Sequence, residues 1–191
     1  MGRTVVALVN SRQIRFSSAR RLPPDRFDRL TKVLHWIFAV GILYALAVGY
    51  GLHVIRPGPT RDFFSHLNMS LATVLIVLFP LRLIWRLVRR QPAPPHGLGP
   101  QDLRRAQTVQ SLLYALILIV LASSFLMVPG GYRLFGVIHV PTPFAKGAAT
   151  DLFFILHRIS CAMLTGLVGL HLAGVVLHTL VRPIGLIRRM I

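Results

Sequence analysis

Four long apolar runs constrain this chain more than any other feature, because each approaches or exceeds the ~20 residues with which an α-helix crosses ~30 Å of hydrocarbon. They lie at about Leu34–Leu52, Leu67–Val88, Val109–Val128 and Leu152–Val181. Pro80 interrupts the second, Pro129-Gly130-Gly131 closes the third, and Pro183 stops the fourth. In lipid, backbone donors and acceptors have to be satisfied within the chain, so runs of this length read as helices. The predicted fold class is all-α: an integral membrane four-helix bundle running up-down-up-down. Composition agrees, with 54% hydrophobic and 14% charged residues and a mean hydropathy of +0.64. A soluble domain carries about a quarter charged residues.

The few charges are lopsided: 22 Lys plus Arg against 5 acids, all of them Asp, for a formal net charge of +17. A basic face for nucleic acid needs a soluble fold, and an Arg- and Ser-rich start without acids can be a presequence. The cations, however, lie just outside the apolar runs, which is the pattern of loops held against anionic lipid. No nucleic-acid partner is expected. Lys and Arg number eight in residues 1–33, five in residues 86–105 and three in the C-terminal tail. The other side carries only Arg56, Arg61, Arg133 and Lys146. The positive-inside rule therefore predicts both termini in the cytoplasm of a bacterial inner (plasma) membrane, with lipid as the immediate partner. Residues 1–26 read as a basic N-terminal extension ahead of a domain at 27–191.

Between the second and third runs lies QPAPPHGLGPQD, a connector too rich in Pro and Gly to be helical. Asp102 is expected to cap a short polar lead-in to the third helix. Residues 129–150, with three prolines and four glycines, are expected to lie across the membrane surface. Cys161 stands alone in an apolar run, so neither a disulfide framework nor covalent haem attachment is expected.

Ionisable groups within a bilayer are costly, and here they are histidines, with no carboxylate at depth. His35 lies near the inner end of the first run, His66 at the outer end of the second, and His157, His171 and His178 in the fourth. His157 and His171 are 14 residues apart, so they share a helix face about 21 Å apart along the axis. Ligands sit about 2 Å from a metal, so no single ion can bind both. Two centres are needed, each completed from another helix at the same depth: His35 with His171 inside, His66 with His157 outside. Two facing imidazoles suit a six-coordinate haem iron, whereas zinc wants three or four convergent ligands. Gly41, Gly49, Gly166 and Gly169 leave room for a flat macrocycle or a neighbouring helix. Histidines can also serve simply as interhelical hydrogen-bonding groups.

Arg29, Arg82, Arg86 and Arg158 stand near these levels and can pair with haem propionates or snorkel to lipid headgroups. Trp36 and Trp85 suit the interfacial aromatic belt. His178, about 10 Å beyond His171 on nearly the same face, can exchange protons with a quinone beside the inner haem or rest at the interface.

The motifs R-x5-HW at Arg29/His35-Trp36, His66 entering the second helix, R-x3-R at Arg82/Arg86, and H-x13-H-x6-H at His157, His171 and His178 resemble the bacterial cytochrome b561 family. The resemblance covers about residues 27–190. It implies a four-helix di-haem cytochrome, with two haem b groups ligated by His35, His66, His157 and His171 and a quinone site near His178. Gln107 and Gln110 stand where the family places histidines, and the interval from His66 to Arg82 is slightly long. At least one family member resembles a superoxide:quinone oxidoreductase, which would make this chain an oxidoreductase passing electrons from a periplasmic-side donor to ubiquinone or another quinone. Two alternatives stay open: a cytochrome b anchor subunit serving a separate dehydrogenase or hydrogenase-like periplasmic donor protein, and a haem-free membrane scaffold.

Overall fold

The computed structural model describes residues 27–89, 93 and 99–180; the basic extension at 1–26 and the tail beyond Leu180 lie outside the described residues. Four helices form an antiparallel bundle: α1 (Arg29–Gly51), α2 (Pro59–Val88), α3 (Pro100–Leu126) and α4 (Ala148–Leu180). All four are long and apolar enough to cross a membrane, as the apolar runs predict. Phe38, Leu75, Phe79, Ile117, Leu121 and Leu164 meet in a single buried cluster drawn from all four helices. The opposite faces are apolar and exposed, as at Val40, Val77 and Leu170. A soluble protein could not sustain that arrangement, and lipid covers it.

The helices begin earlier than the apolar runs, because runs mark the lipid-crossing part and capping groups mark the ends. Asp28 is the N-cap of α1, accepting from the Thr31 backbone N–H at 2.9 Å and from the Thr31 hydroxyl at 2.6 Å. Pro59 and Pro100 open α2 and α3, where a missing N–H costs nothing. Asp102 is therefore not a cap: Gly99 holds that position and Asp102 lies in the first turn, where its charge complements the helix dipole. Pro80 stays inside α2 without ending it.

The segment between α3 and α4 is more ordered than its Pro/Gly content suggests. It forms an antiparallel hairpin of β1 (Tyr132–Leu134) and β2 (Ile138–Val140). Residues 135–137 connect the strands. Phe135 (φ 49°) and Gly136 (φ 76°) both hold left-handed conformations, and the Val137 N–H closes the turn on the Leu134 oxygen at 3.0 Å. Just before β1, a side chain on Gly131 (φ 119°) would place its Cβ 2.6 Å from the Val140 oxygen. The hairpin packs on α2: the Tyr132 hydroxyl bonds the Thr73 hydroxyl, and the Phe135 N–H donates to Ser70 Oγ at 2.8 Å. This end of the bundle, with the starts of α2 and α4, is called the hairpin end; the other holds the starts of α1 and α3.

At that other end Trp85 ties α2 to α1. Its indole N–H lies 3.0 Å from Asp28 Oδ1 and 3.1 Å from Thr31 Oγ1. Arg89 adds a loose ion pair to Asp28 at 3.9 Å. Burial works against ionisation of Asp28, but its hydrogen bonds from Thr31 and Trp85 outweigh this and hold the carboxyl below its ordinary value.

Candidate functional site

Burial along α4 shows which face turns inward. Ser160 and Leu164 are buried, and His157, Cys161, Val168 and His171 are half-buried along one stripe, while Arg158, Met163 and Leu170 are exposed. The two histidines share the inward face that their 14-residue spacing predicts. On α1, His35 is half-buried between the fully covered Leu34 and Phe38.

His157 is the best-held of these histidines. Its Nδ1 lies 3.2 Å from the Val120 carbonyl oxygen and 3.2 Å from Ser123 Oγ, both on α3. A carbonyl can only accept, so Nδ1 carries the proton and Nε2 presents its lone pair. That lone pair lies 3.4 Å from the Cys161 sulfur. With Nδ1–H held on α3, Nε2 is the unprotonated nitrogen and accepts from the Cys161 thiol; a metal-ligating histidine is likewise held through its other ring N–H.

His66 is placed differently. It lies on α2 one turn from the fully buried Ser70, whose hydroxyl donates to the His66 carbonyl at 2.9 Å, but its side chain is exposed. Among the described residues no side-chain contact joins His66 to His157. His178 lies on α4, and its side chain falls outside the described residues.

Around His35 sits a cationic, aromatic cleft lined by Arg82, Trp85, Arg86, Gln110 and Tyr114. The Arg82 guanidinium is stacked between Phe38, 5.0 Å away, and Tyr114, 5.4 Å away, and its Nη2 lies 3.4 Å from His35 Nδ1. Its buried Nε has no hydrogen-bond partner. Arg86 lies 4.3 Å above the Tyr114 ring and donates to Ser111 at 3.3 Å. Of the cations singled out in the sequence, Arg82 and Arg86 converge here. Arg29 is exposed, and Arg158 faces outward over Phe154 at 5.8 Å. Gln110 lines the cleft and Gln107 is exposed. Trp85 ties α2 to α1 at this end through Asp28 and Thr31.

The half-buried imidazoles of His35, His157 and His171 suit a planar macrocycle. The Arg82 contact, however, makes His35 Nδ1 an acceptor and would have to be released for His35 to ligate through Nε2. α1 packs on α2, and α4 on α3, whereas α1 and α4 make only sparse contact, a Tyr50–Thr165 hydroxyl pair at 3.3 Å among it. A Cβ added at Gly49 would meet nothing within 4 Å, and Gly49 lies 14 residues past His35 on the same face, so it leaves room there. Gly166 and Gly169 are exposed, and a Cβ at Gly41 would come within 3.1 Å of Leu75 on α2. The buried Tyr44 hydroxyl and Arg82 Nε lack partners, and such buried polar atoms call for a ligand. Among the described residues no cluster of three or more His, Cys, Asp or Glu could close around a metal ion, which disfavours a zinc site.

Sequence reading missed Ser123, Val120 and Tyr114. A serine in an apolar helix ordinarily bonds its own backbone, and only the fold shows which imidazole it meets.

A 142-residue stretch is 24% identical to cytochrome b561 homolog 2 of Escherichia coli (strain K12), covering 70% of this chain and 74% of that protein. The family model for prokaryotic cytochrome b561 matches residues 26–191. This chain belongs to the prokaryotic cytochrome b561 family, and is thereby a bacterial membrane electron-transfer protein of the haem b type.

Proposed function

We propose that this protein is a di-haem oxidoreductase that passes electrons from a donor on the hairpin side, superoxide in the leading case, to a membrane quinone on the cytoplasmic side. Haem b would supply one-electron redox chemistry at each of two levels. His35 and His171 would hold one group, and His66 and His157 the other. Arg82 and Arg86 would offer their guanidinium groups to propionates at the inner level. One observation carries this reading: the α1 and α4 faces bearing His35, His157 and His171 turn inward with little packing between them.

Charge supports the direction. Cations at the α1 and α3 starts and in the connector favour a cytoplasmic position for that end by the positive-inside rule. At the hairpin end Arg56, Arg61, Arg133 and Lys146 are all exposed, against only Asp62 and Asp151, and this excess would draw in an anion. Oxidation of two superoxide anions to dioxygen releases the two electrons that, with two protons, reduce one quinone to the quinol. His178, near the inner surface, would exchange those protons with the cytoplasm.

The test is a dithionite-reduced minus oxidised spectrum of the purified protein with haem quantified per chain, followed by superoxide-driven quinone reduction by the protein alone. Two low-spin b haems and quinol formation are expected. Two haems without quinol formation would leave the chain as an anchor for a separate dehydrogenase. A colourless sample would leave a scaffold.

A further inference from the structure

We infer that Ser123 is a positioning residue for the histidine at the hairpin level, holding its tautomer and setting its strength as an electron donor. This rests on the reading of His157 as an iron ligand.

Ser123 is 1% exposed, in the half of α3 that faces His157. Its hydroxyl has one proton to give, and the nearest acceptor is the Ile119 carbonyl at 2.6 Å. The oxygen lone pairs are then left for the imidazole, and Ser123 Oγ and the Val120 oxygen, each 3.2 Å away, share the Nδ1 proton. Two acceptors on one N–H draw electron density onto the ring and make Nε2 a stronger donor. A stronger axial donor favours ferric over ferrous iron, so Ser123 holds the potential at this level down.

At the other level the environment has the opposite sign. The group beside His35 is the Arg82 guanidinium, and a fixed cation favours the reduced, less positive centre. The outer histidine is thus biased toward giving an electron and the inner site toward keeping one. That orders the potentials for flow from the hairpin side inward.

The experiment is a spectroelectrochemical titration of the purified holoprotein, comparing wild type with Ser123→Ala and Ser123→Thr. The haem absent from His157→Ala identifies the outer one. In Ser123→Ala that haem is expected to become several-fold easier to reduce at a fixed potential (tenfold is about 59 mV for one electron). Its low-spin ferric resonance should shift as well, while the other haem stays unchanged, and Ser123→Thr should restore both signals. An unchanged potential and resonance in a haem-replete Ser123→Ala protein overturns the inference. If Ser123→Ala loses the haem, Ser123→Thr decides: retention by threonine assigns the role to the hydroxyl, and loss from both shows a packing role only. A haem content unaffected by His157→Ala would instead remove the ligand assignment beneath it.

Discussion

Nδ1 of His157 on α4 lies 3.2 Å from the carbonyl oxygen of Val120 on α3, and this fixes which ring nitrogen carries the proton. Val120 can only accept, so Nε2 is the nitrogen that could serve a metal, and it lies 3.4 Å from the Cys161 sulfur. His157 and His171 point the same way from two depths and cannot share an ion. His157→Ala and His171→Ala are each expected to halve the haem content, and the double variant to abolish it. Pyridine haemochrome quantification per chain checks this, and loss of both haems from one substitution in a folded protein would refute separate centres.

Arg82 is the inner counterpart. It is held between Phe38 and Tyr114 with His35 at 3.4 Å, and a desolvated cation–π contact is worth about 2 kcal/mol. If His35 and His171 hold a haem, Arg82→Leu should lower its midpoint potential, because a fixed positive charge is lost. It should also weaken that haem's retention during purification. Arg82→Lys should restore the charge without the planar stacking, recovering the potential better than the retention. A potential insensitive to both changes would place the guanidinium outside that haem's field.

The number of spans and the inward turn of His157 and His171 were legible in the residues, because lipid punishes polar groups and a 14-residue interval returns to one face whatever the surroundings. The helix ends were not. They depend on Asp28, Pro59 and Pro100, groups in polar stretches where hydropathy carries no signal. The hairpin was hidden for a related reason: two three-residue strands leave no periodicity, and their stability comes from Ser70 and Thr73 on another element. Ser123 is the sharpest case, since nothing in LASSFL distinguishes a hydroxyl bonded to its own helix from one shared with a ligand.

Asp28 makes stability at the inner end depend on pH. Its carboxyl caps α1 and accepts from Trp85, and these bonds outweigh the effect of burial and hold it below the ordinary 3.8. A carboxyl whose folded value is depressed contributes fully above the unfolded value and loses that contribution as pH falls through the folded one. Thermal unfolding in detergent should therefore show a component lost below about pH 4 that is missing in Asp28→Ala. At neutral pH that variant should be less stable by about 1 kcal/mol, a typical N-cap contribution. An acid profile identical in the two proteins would show that the α1 cap carries no pH-dependent stability.

His178 offers a kinetic test of the proposed quinone site. If it exchanges protons with the quinone, His178→Ala should keep the full haem content and both potentials, yet reoxidise more slowly when quinone is added to the reduced protein. The deficit should shrink as pH falls and protons become available without the imidazole. Stopped-flow spectroscopy in the α band across pH 6–8 measures this directly. Unchanged rates at every pH would return His178 to an interfacial role.

The hairpin's grip on α2 makes the last prediction. Phe135 holds φ at 49°, a conformation that costs a bulky residue about 1–3 kcal/mol and persists only where neighbours enforce it. The enforcing contact is its N–H on Ser70 Oγ at 2.8 Å. Ser70 is itself fully buried, so Ser70→Ala leaves a donor unsatisfied at a cost of about 1–3 kcal/mol. Amide exchange across residues 132–140 is expected to accelerate at least tenfold in Ser70→Ala while exchange in α3 stays as in wild type. Phe135→Gly in the same background should recover part of the protection, because glycine adopts positive φ without strain. Protection in Ser70→Ala equal to wild type would mean that Tyr132 and Thr73 alone hold the hairpin to α2.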